Sequence, residues 1–507
     1  MARFTIKVRS HGFSVQVNFN QDKQLMSSFQ EQLRLYETRW NPRVKRATRT
    51  LKCTYATYIP KTATYGLHIS LLDDFIAHLK ANRVSGNDIE VFKIASVSGA
   101  KAKVLLSESA RPRDHQPPLI EFIKSPGFLK VLPLQTGGGK TFCTLYSIAQ
   151  MQLRSILILP ANLIEVWLKD AKWIYTNSEE EIIVIQGRKD FIKLIDSVNK
   201  KTFNKSIIII SVNTYRDYLT EYEKENRSTY GCIPSKLCEK LKVEFLVVDE
   251  ADANLLFQVR HTIETNVAKI LYLSATLESN DAFTNKIYRM IFPLHHRYAG
   301  LKWNKYIYVK ALGYHIKDIN KINCKGAMGY SHAMFEQSIM RDRNMLANYL
   351  KMILVVLEQS FLKTFTQGQK LLIFASTIDM CDKITNYIIS NLSRDDITCH
   401  SYTSEDEASV LKEYDIIIST RGKAGRGKDI EGLVAVISTV AINAKETNAQ
   451  MLGRLRELHG RFPGIEPTFY YLTAMNISKH MDYHYDKVEA FQSKAKQVTT
   501  HRTAFVI

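Results

Sequence analysis

Continuous apolar runs, with little alternation, dominate the middle of the chain. FLKVLPL (128–134), SILILP (155–160), EIIVIQG (181–187), SIIIISV (206–212), FLVVDE (245–250) and KILYLSAT (269–276) are short, rich in β-branched residues and separated by segments of helical spacing. Strands that are apolar at every position are buried on both faces, which predicts a parallel sheet covered by helices. A second series begins near residue 340: KLLIFAS (370–376), DITCHSYT (396–403), YDIIIST (414–420), LVAVISTV (433–440) and PTFYYLT (467–473). The first hundred residues read differently. FTIKVRS (4–10) and FSVQVNFN (13–20) alternate apolar and polar residues across a Ser10-His11-Gly12 turn, and SLLDDFIAHLKANR (70–83) has helical spacing, as in a small α/β module. Beyond residue 475 the chain is polar and rich in His and Lys, which predicts an extension with little core.

The pattern suggests an α/β chain with two tandem parallel-sheet domains and a small N-terminal α/β domain. The expected boundaries are 1–105, 106–300, 301–475 and a polar tail at 476–507, and 507 residues leave room for about three domains of ordinary size. Lys and Arg outnumber Asp and Glu by 69 to 50, giving a net charge of +19, a surface that favours a polyanion. Residues 1–110 hold 17 Lys and Arg against 8 Asp and Glu, so about half of the excess lies in the first fifth of the chain. Its densest part, TRWNPRVKRATRTLK (38–52), has six basic residues and one Trp. Arg39, Arg43, Lys45, Arg46 and Arg49 are candidate phosphate contacts; a solvated basic turn is the plainer alternative. The seven cysteines form no C-x-x-C pair and read as reduced structural thiols. The start, MARFTIKVRSHGF, lacks an apolar stretch of signal-peptide length. The expectation is an intracellular protein without a membrane partner.

Six stretches carry chemistry. LPLQTGGGKTFCT (132–144) follows a strand and leads into a helix. There Thr136, Gly137, Gly138 and Gly139 let backbone amides converge on a phosphate, Lys140 reaches the β and γ phosphates, and the Thr141 hydroxyl holds Mg²⁺. Leu134 stands where the strict phosphate-loop pattern has its first glycine. FLVVDEAD ends a strand in acids about 110 residues later, with Asp249 in the Mg²⁺ shell and Glu250 orienting or deprotonating the attacking water; paired acids there also serve as helix caps. Gln116, in Arg113-Asp114-His115-Gln116, lies 24 residues before Lys140. Its amide offers the donor and acceptor that match adenine, favouring ATP over GTP. In LSATLES (273–279), Ser274 and Thr276 could hydrogen-bond near the acids and relay phosphate state. In the second series, RGKAGRGKD (421–429) and NAQMLGRLRELHG (448–460) follow strands, and Arg454 and Arg456 are candidates to neutralise charge on the transferred phosphoryl group.

As an ordered series, RDHQ, LQTGGGKT, ILPANLIEVW, SVNTY, DEAD, SAT, LLIFAS, GRGKD and QMLGR over residues 111–460 resemble the superfamily 2 helicases and translocases. That resemblance implies two RecA-like domains, with ATP at their interface and nucleic acid across the top. It also implies that Lys140, Thr141, Asp249, Glu250, Gln116, Gln450 and Arg454 carry nucleotide chemistry, with Ser274, Thr276, Gly427 and Asp429 coupling it to movement. Where the family has its second finger arginine, this chain has Glu457, and Arg456 lies one residue earlier. DEAD, SAT and Arg426-Gly427-Lys428-Asp429 look like motifs of the DEAD-box RNA helicases. PANLIEV in place of PTRELA, and Gln450 in place of their His, depart from them. The segment 40–83, with its aromatic-Asn-Pro-Arg turn, basic strand, Gly-Leu and helix, is similar to the N-terminal domain of the UvsW-like branch-migration helicases of tailed phages. This implies a motor acting on forked and four-way DNA, with replication or recombination proteins as partners and the host cytoplasm as setting. An RNA-dependent ATPase and an ATP-gated nucleic-acid clamp are the alternatives.

Overall fold

The computed structural model describes residues 2–41, 46–59, 63–134, 137–225, 228–275, 277, 281–300, 305–326, 329–392, 394–403, 406–407, 409–424, 430–458 and 460–507, the side chains of 37–41, 46, 47 and 446 excepted. The chain packs as two units, Met1–Leu301 and Lys302–Ile507.

The first unit opens with β1 (Phe4–Val8), β2 (Gly12–Val17), β3 (Arg34–Asn41), β4 (Arg46–Thr54), β5 (Thr57–Ile59), β6 (Thr64–His68) and β7 (Ile89–Lys93). Five of these form a sheet in the order β5-β6-β2-β1-β7, while, among the described residues, β3 and β4 pair with each other alone as an antiparallel hairpin. The described residues of the basic segment, 38–41 and 46–52, lie on this hairpin. On it the Arg49 guanidinium sits 4.1 Å above the Tyr36 ring, a contact that holds the cation without neutralising it.

A six-stranded parallel sheet follows, from β8 (Leu129–Pro133), β9 (Ser155–Leu159), β10 (Ile182–Ile185), β11 (Ile207–Ser211), β12 (Phe245–Val248) and β13 (Lys269–Ser274), in the order β10-β11-β9-β12-β13-β8. Each strand coincides with an apolar run, and β9, β11, β12 and β13 are buried along their whole length, with helices supplying the apolar cover.

The N-terminal sheet shares its core with this second sheet. A single cluster of buried side chains runs from Phe4, Phe13 and Phe75 to Ile156, Val248 and Ile263. The backbones come close because two glycines face the helix Leu255–Glu264: a Cβ on Gly12 would sit 2.7 Å from the Ile263 Cα, and one on Gly66 2.5 Å from the Ile263 Cγ2. Polar ties cross the same seam, from the Ser10 N–H to Asn266 Oδ1 at 3.0 Å and from Asn266 Nδ2 to the Ala95 carbonyl at 2.7 Å.

The second unit contains β14 (Tyr308–His315), the two-residue pair β15 (Lys325–Gly326) and β16 (Gly329–Tyr330), then β17 (Lys370–Ala375), β18 (Cys399–Tyr402), β19 (Ile416–Thr420), β20 (Leu433–Ser438), β21 (Thr468–Ala474) and β22 (Gln497–Val506). Seven of them make a parallel sheet in the order β18-β19-β17-β20-β21-β14-β22. The fold is thus α/β, with two tandem RecA-like parallel sheets preceded by a small mixed module. The helix Arg343–Ser360 lies in a stretch long and apolar enough for a bilayer, but it lays Tyr349, Leu350, Met352, Ile353, Val356 and Leu357 into the core of this unit. Its apolar face is a packing face.

The expected tail of little core is corrected here. Residues 478–492 form a helix that buries His480, Lys487 and Phe491, and β22 pairs in parallel with β14 along the sheet edge. As an edge strand it keeps much of QVTTHRTAFV in solvent, so its composition stays polar although its backbone completes the sheet.

Candidate nucleotide site

In an open parallel sheet, ligands bind beyond the carboxyl ends of the strands. In the first unit, β8, β12 and β13 end together, each beside its neighbour in the sheet or one strand away, and each runs into one of the predicted motifs. After β8 the backbone turns through Gly137 (φ +87°) and Gly139 (φ +84°), left-handed conformations that side chains disfavour. Gly139 also caps the helix Lys140–Met151, and a Cβ there would collide with the Gln116 amide nitrogen. Glycine is required twice, for φ and for space. The loop and the N-terminus of a 12-residue helix offer backbone N–H groups to an anion.

Gln116 is buried and packs on this loop. Its Oε1 accepts from the Arg113 N–H at 2.8 Å, and it starts the helix Pro117–Lys124. The far end of that helix is held by Lys269 of β13, whose Nζ donates to the carbonyls of Ile123 and Ser125, both at 2.7 Å. Burial pulls this ammonium down to about 8, while the helix carbonyls favour its charge. Arg113 itself is exposed.

At the end of β12, Asp249 is buried, and its Oδ1 lies 4.0 Å from Lys140 Nζ. The same oxygen accepts from the Glu250 N–H at 2.9 Å, and Oδ2 accepts from Trp167 Nε1 at 3.0 Å. Glu250 adopts φ +51°, a conformation that costs a non-glycine residue on the order of 1 kcal/mol. Ser274, at the end of β13, donates to Asp252 Oδ1 at 2.7 Å, both residues being buried. Two residues here carry chemistry that the sequence did not assign. Asp252, which has no place in the nucleotide chemistry argued from the motif, accepts the bond that ties the acid turn to β13. Trp167 donates to the Asp249 carboxylate, yet Ile164, Trp167, Ala171 and Ile174 form a buried stripe at helical spacing and read as plain core.

Mg²⁺ requires hard oxygen donors. The Asp249 carboxylate, 4.0 Å from the Lys140 ammonium, and the hydroxyl of Thr141, the second residue of the helix Lys140–Met151, are donors of that kind. Thr136 and Thr276 lie outside the described residues.

In the second unit, Gln450 sits on the helix Lys445–Leu452, which Gly453 closes. Arg454 is buried and lies near Tyr402, whose phenol burial holds above its ordinary value against the opposing pull of that arginine, while Arg456 donates from Nη1 to the Gly453 carbonyl. The two arginines therefore have different local settings, one enclosed and one folded back on its own helix end. Gly427 and Asp429 lie outside the described residues, as do Arg43, Lys45 and the side chains of Arg39 and Arg46.

This unit also has a buried polar centre beyond the predicted motifs. Glu336, fully buried, accepts from the N–H groups of Ser376 and Thr377 at 2.7 and 2.9 Å and from the Thr377 hydroxyl at 2.8 Å, where β17 ends. Burial lifts its carboxyl to about 7 against those donors and Arg421.

Two tandem parallel sheets, with a glycine loop, a lysine and paired acids at the strand ends of the first, define an α/β fold with a candidate nucleotide site in its first unit. No protein-family model matches the chain. No curated protein matches it either. Among solved structures it is similar to T4 UvsW, with a TM-score of 0.35 and 11% sequence identity over 99% of this chain and 100% of that one.

Proposed function

We propose that this protein is an ATP-dependent DNA helicase or translocase that unwinds or branch-migrates forked and four-way DNA in replication and recombination. The observation that carries the reading is the meeting of Lys140 and Asp249 at 4.0 Å between the glycine loop and the acid turn. Loop amides, helix N-terminus and Lys140 bind and orient the triphosphate. Asp249 and Thr141 hold Mg²⁺, which supplies charge neutralisation at the phosphates. Glu250 positions or deprotonates water. The Ser274–Asp252 bond links that turn to the neighbouring strand, a route by which phosphate state reaches the rest of the sheet.

DNA is favoured as the track by the basic N-terminal module: residues 38–52 of the sequence hold Arg39, Arg43, Lys45, Arg46 and Arg49, and the described part of this segment, Arg49 included, belongs to the β3–β4 hairpin, which stands apart from the five-stranded sheet. An RNA-dependent ATPase is the second reading, and the observation favouring it is the closed Asp252–Ser274 contact between the DEAD and SAT segments. Two experiments test the main proposal. Lys140→Ala should leave DNA binding largely intact and abolish strand displacement; a variant that still remodels junctions rules out the motor. Replacing Arg43, Lys45, Arg46 and Arg49 by Ala should flatten the salt dependence of DNA binding by ~0.9 in slope for each lost phosphate contact. An unchanged slope means the hairpin faces solvent.

A further inference from the structure

We propose that Trp167 is a positioning residue for the metal site: its indole N–H fixes the Asp249 carboxylate, so that the helix Ile164–Ile174 sets the orientation of the oxygen offered to Mg²⁺. The proposal rests on the nucleotide-site reading and names a residue outside its motifs.

The geometry is specific. Trp167 is 1% exposed and Asp249 4% exposed, so water does not compete for the 3.0 Å bond between them. An ionised carboxylate has about four acceptor positions. The Glu250 N–H takes one on Oδ1 and the indole takes one on Oδ2, leaving one on each oxygen for Mg²⁺ and for the Lys140 side. With both oxygens pinned by donors from different elements, the carboxylate plane cannot rotate freely about its Cβ–Cγ bond.

Those elements are adjacent. The Trp167 helix follows β9, and β9 pairs in parallel with β12, the strand that ends at Asp249. The Asp249 N–H also donates to the Ile158 carbonyl of β9 at 3.1 Å. A displacement of the helix Ile164–Ile174 therefore reaches the carboxylate through one side-chain bond. Removing partners that orient metal ligands costs typically about 10–100-fold in metal affinity.

The test uses the full-length chain and Trp167→Phe, which keeps an aromatic ring in the core and removes the donor. Binding of a fluorescent N-methylanthraniloyl ATP is followed by anisotropy across a Mg²⁺ series and in EDTA. The half-saturating Mg²⁺ concentration should rise about tenfold, with affinity in EDTA within about twofold of wild type. Equal weakening with and without Mg²⁺, or an unshifted Mg²⁺ dependence, overturns the proposal. Wild-type binding that ignores Mg²⁺ altogether would overturn the proposal through its metal site, whereas no nucleotide binding by the wild type at all would instead sink the nucleotide reading. A second measurement needs no change at Trp167. The chain has four tryptophans, and Asp249→Asn should move one of their indole ¹⁵N–¹H signals, the same one that moves in the wild type on adding Mg²⁺ with ATP. If no indole signal responds to Asp249→Asn, the proposal fails.

Discussion

Gly12→Ala tests whether the N-terminal module and the acid turn are mechanically joined. The new Cβ would lie 2.7 Å from the Ile263 Cα, 3.2 Å from the Ile263 carbonyl oxygen and 3.2 Å from the Leu67 carbonyl oxygen, all backbone atoms that no rotamer can clear. Carbon atoms pack at ~3.5–4.0 Å, so β2 and the helix Leu255–Glu264 must separate by on the order of 1 Å. Overpacking of this kind costs about 1–3 kcal/mol, which lowers the melting temperature of a unit this size by on the order of 5 °C. The functional consequence follows from chain order. The helix begins directly after the turn Ala251–Asn254, which follows Glu250, so a displaced helix moves the acids, and an ångström of misplacement can reduce turnover about tenfold or more. Gly86→Ala in the same module is the control, because a Cβ there meets nothing within 4 Å. Thermal melts and steady-state ATPase assays of both variants decide the matter. A Gly12→Ala protein that melts and hydrolyses ATP like Gly86→Ala would refute the mechanical connection.

Two other perturbations bear on neighbouring parts of the unit. Ser274→Ala removes a buried donor from the Asp252 carboxylate. It should cost about 1.5–3 kcal/mol in urea unfolding and reduce strand displacement more than ATP hydrolysis; equal losses in both would argue against a coupling role. The seam between the N-terminal module and the first parallel sheet holds three buried histidines. Burial lowers His11 to about 4 and His68 and His261 to about 3. Their folded values lie below the unfolded ~6.5, so the stability they contribute is present above pH 6.5 and is lost as pH falls toward 4. Hydrogen exchange of residues 255–264 should accelerate over that window before the rest of the first sheet does. Unchanged protection down to pH 4 would contradict the assignment.

The parallel sheets were legible in the sequence because full burial leaves no polar position, and runs such as SIIIISV and KLLIFAS have no other stable placement. The motif residues stood out in the sequence because phosphate and Mg²⁺ chemistry would constrain residue type; what the structure adds is positive φ at Gly137 and Gly139 and an acid directly after β12. Four features escaped for physical reasons. Trp167 sits on the core face of an amphipathic helix, where its apolar ring explains its position and conceals its one polar atom. Asp252 could not be told from an ordinary turn acid until Ser274, 22 positions away, was placed opposite it. β14 and β22 escaped because β14 has partial exposure along its length and β22 lies at the edge, so neither shows a continuous apolar run. The docking of the N-terminal module depends on Gly12 and Gly66, and the absence of a side chain gives no hydrophobic signal.

The central claim is that ATP hydrolysis at Lys140, Asp249 and Glu250 is coupled to branched DNA. Steady-state ATPase activity measured on single-stranded, duplex, forked and four-way DNA and on structured RNA, with Glu250→Gln as the background, tests it most directly. The account predicts that forked and four-way DNA stimulate hydrolysis most, and that Glu250→Gln abolishes the stimulated rate on every substrate. Structured RNA outperforming branched DNA, or stimulated hydrolysis that survives Glu250→Gln, would contradict it.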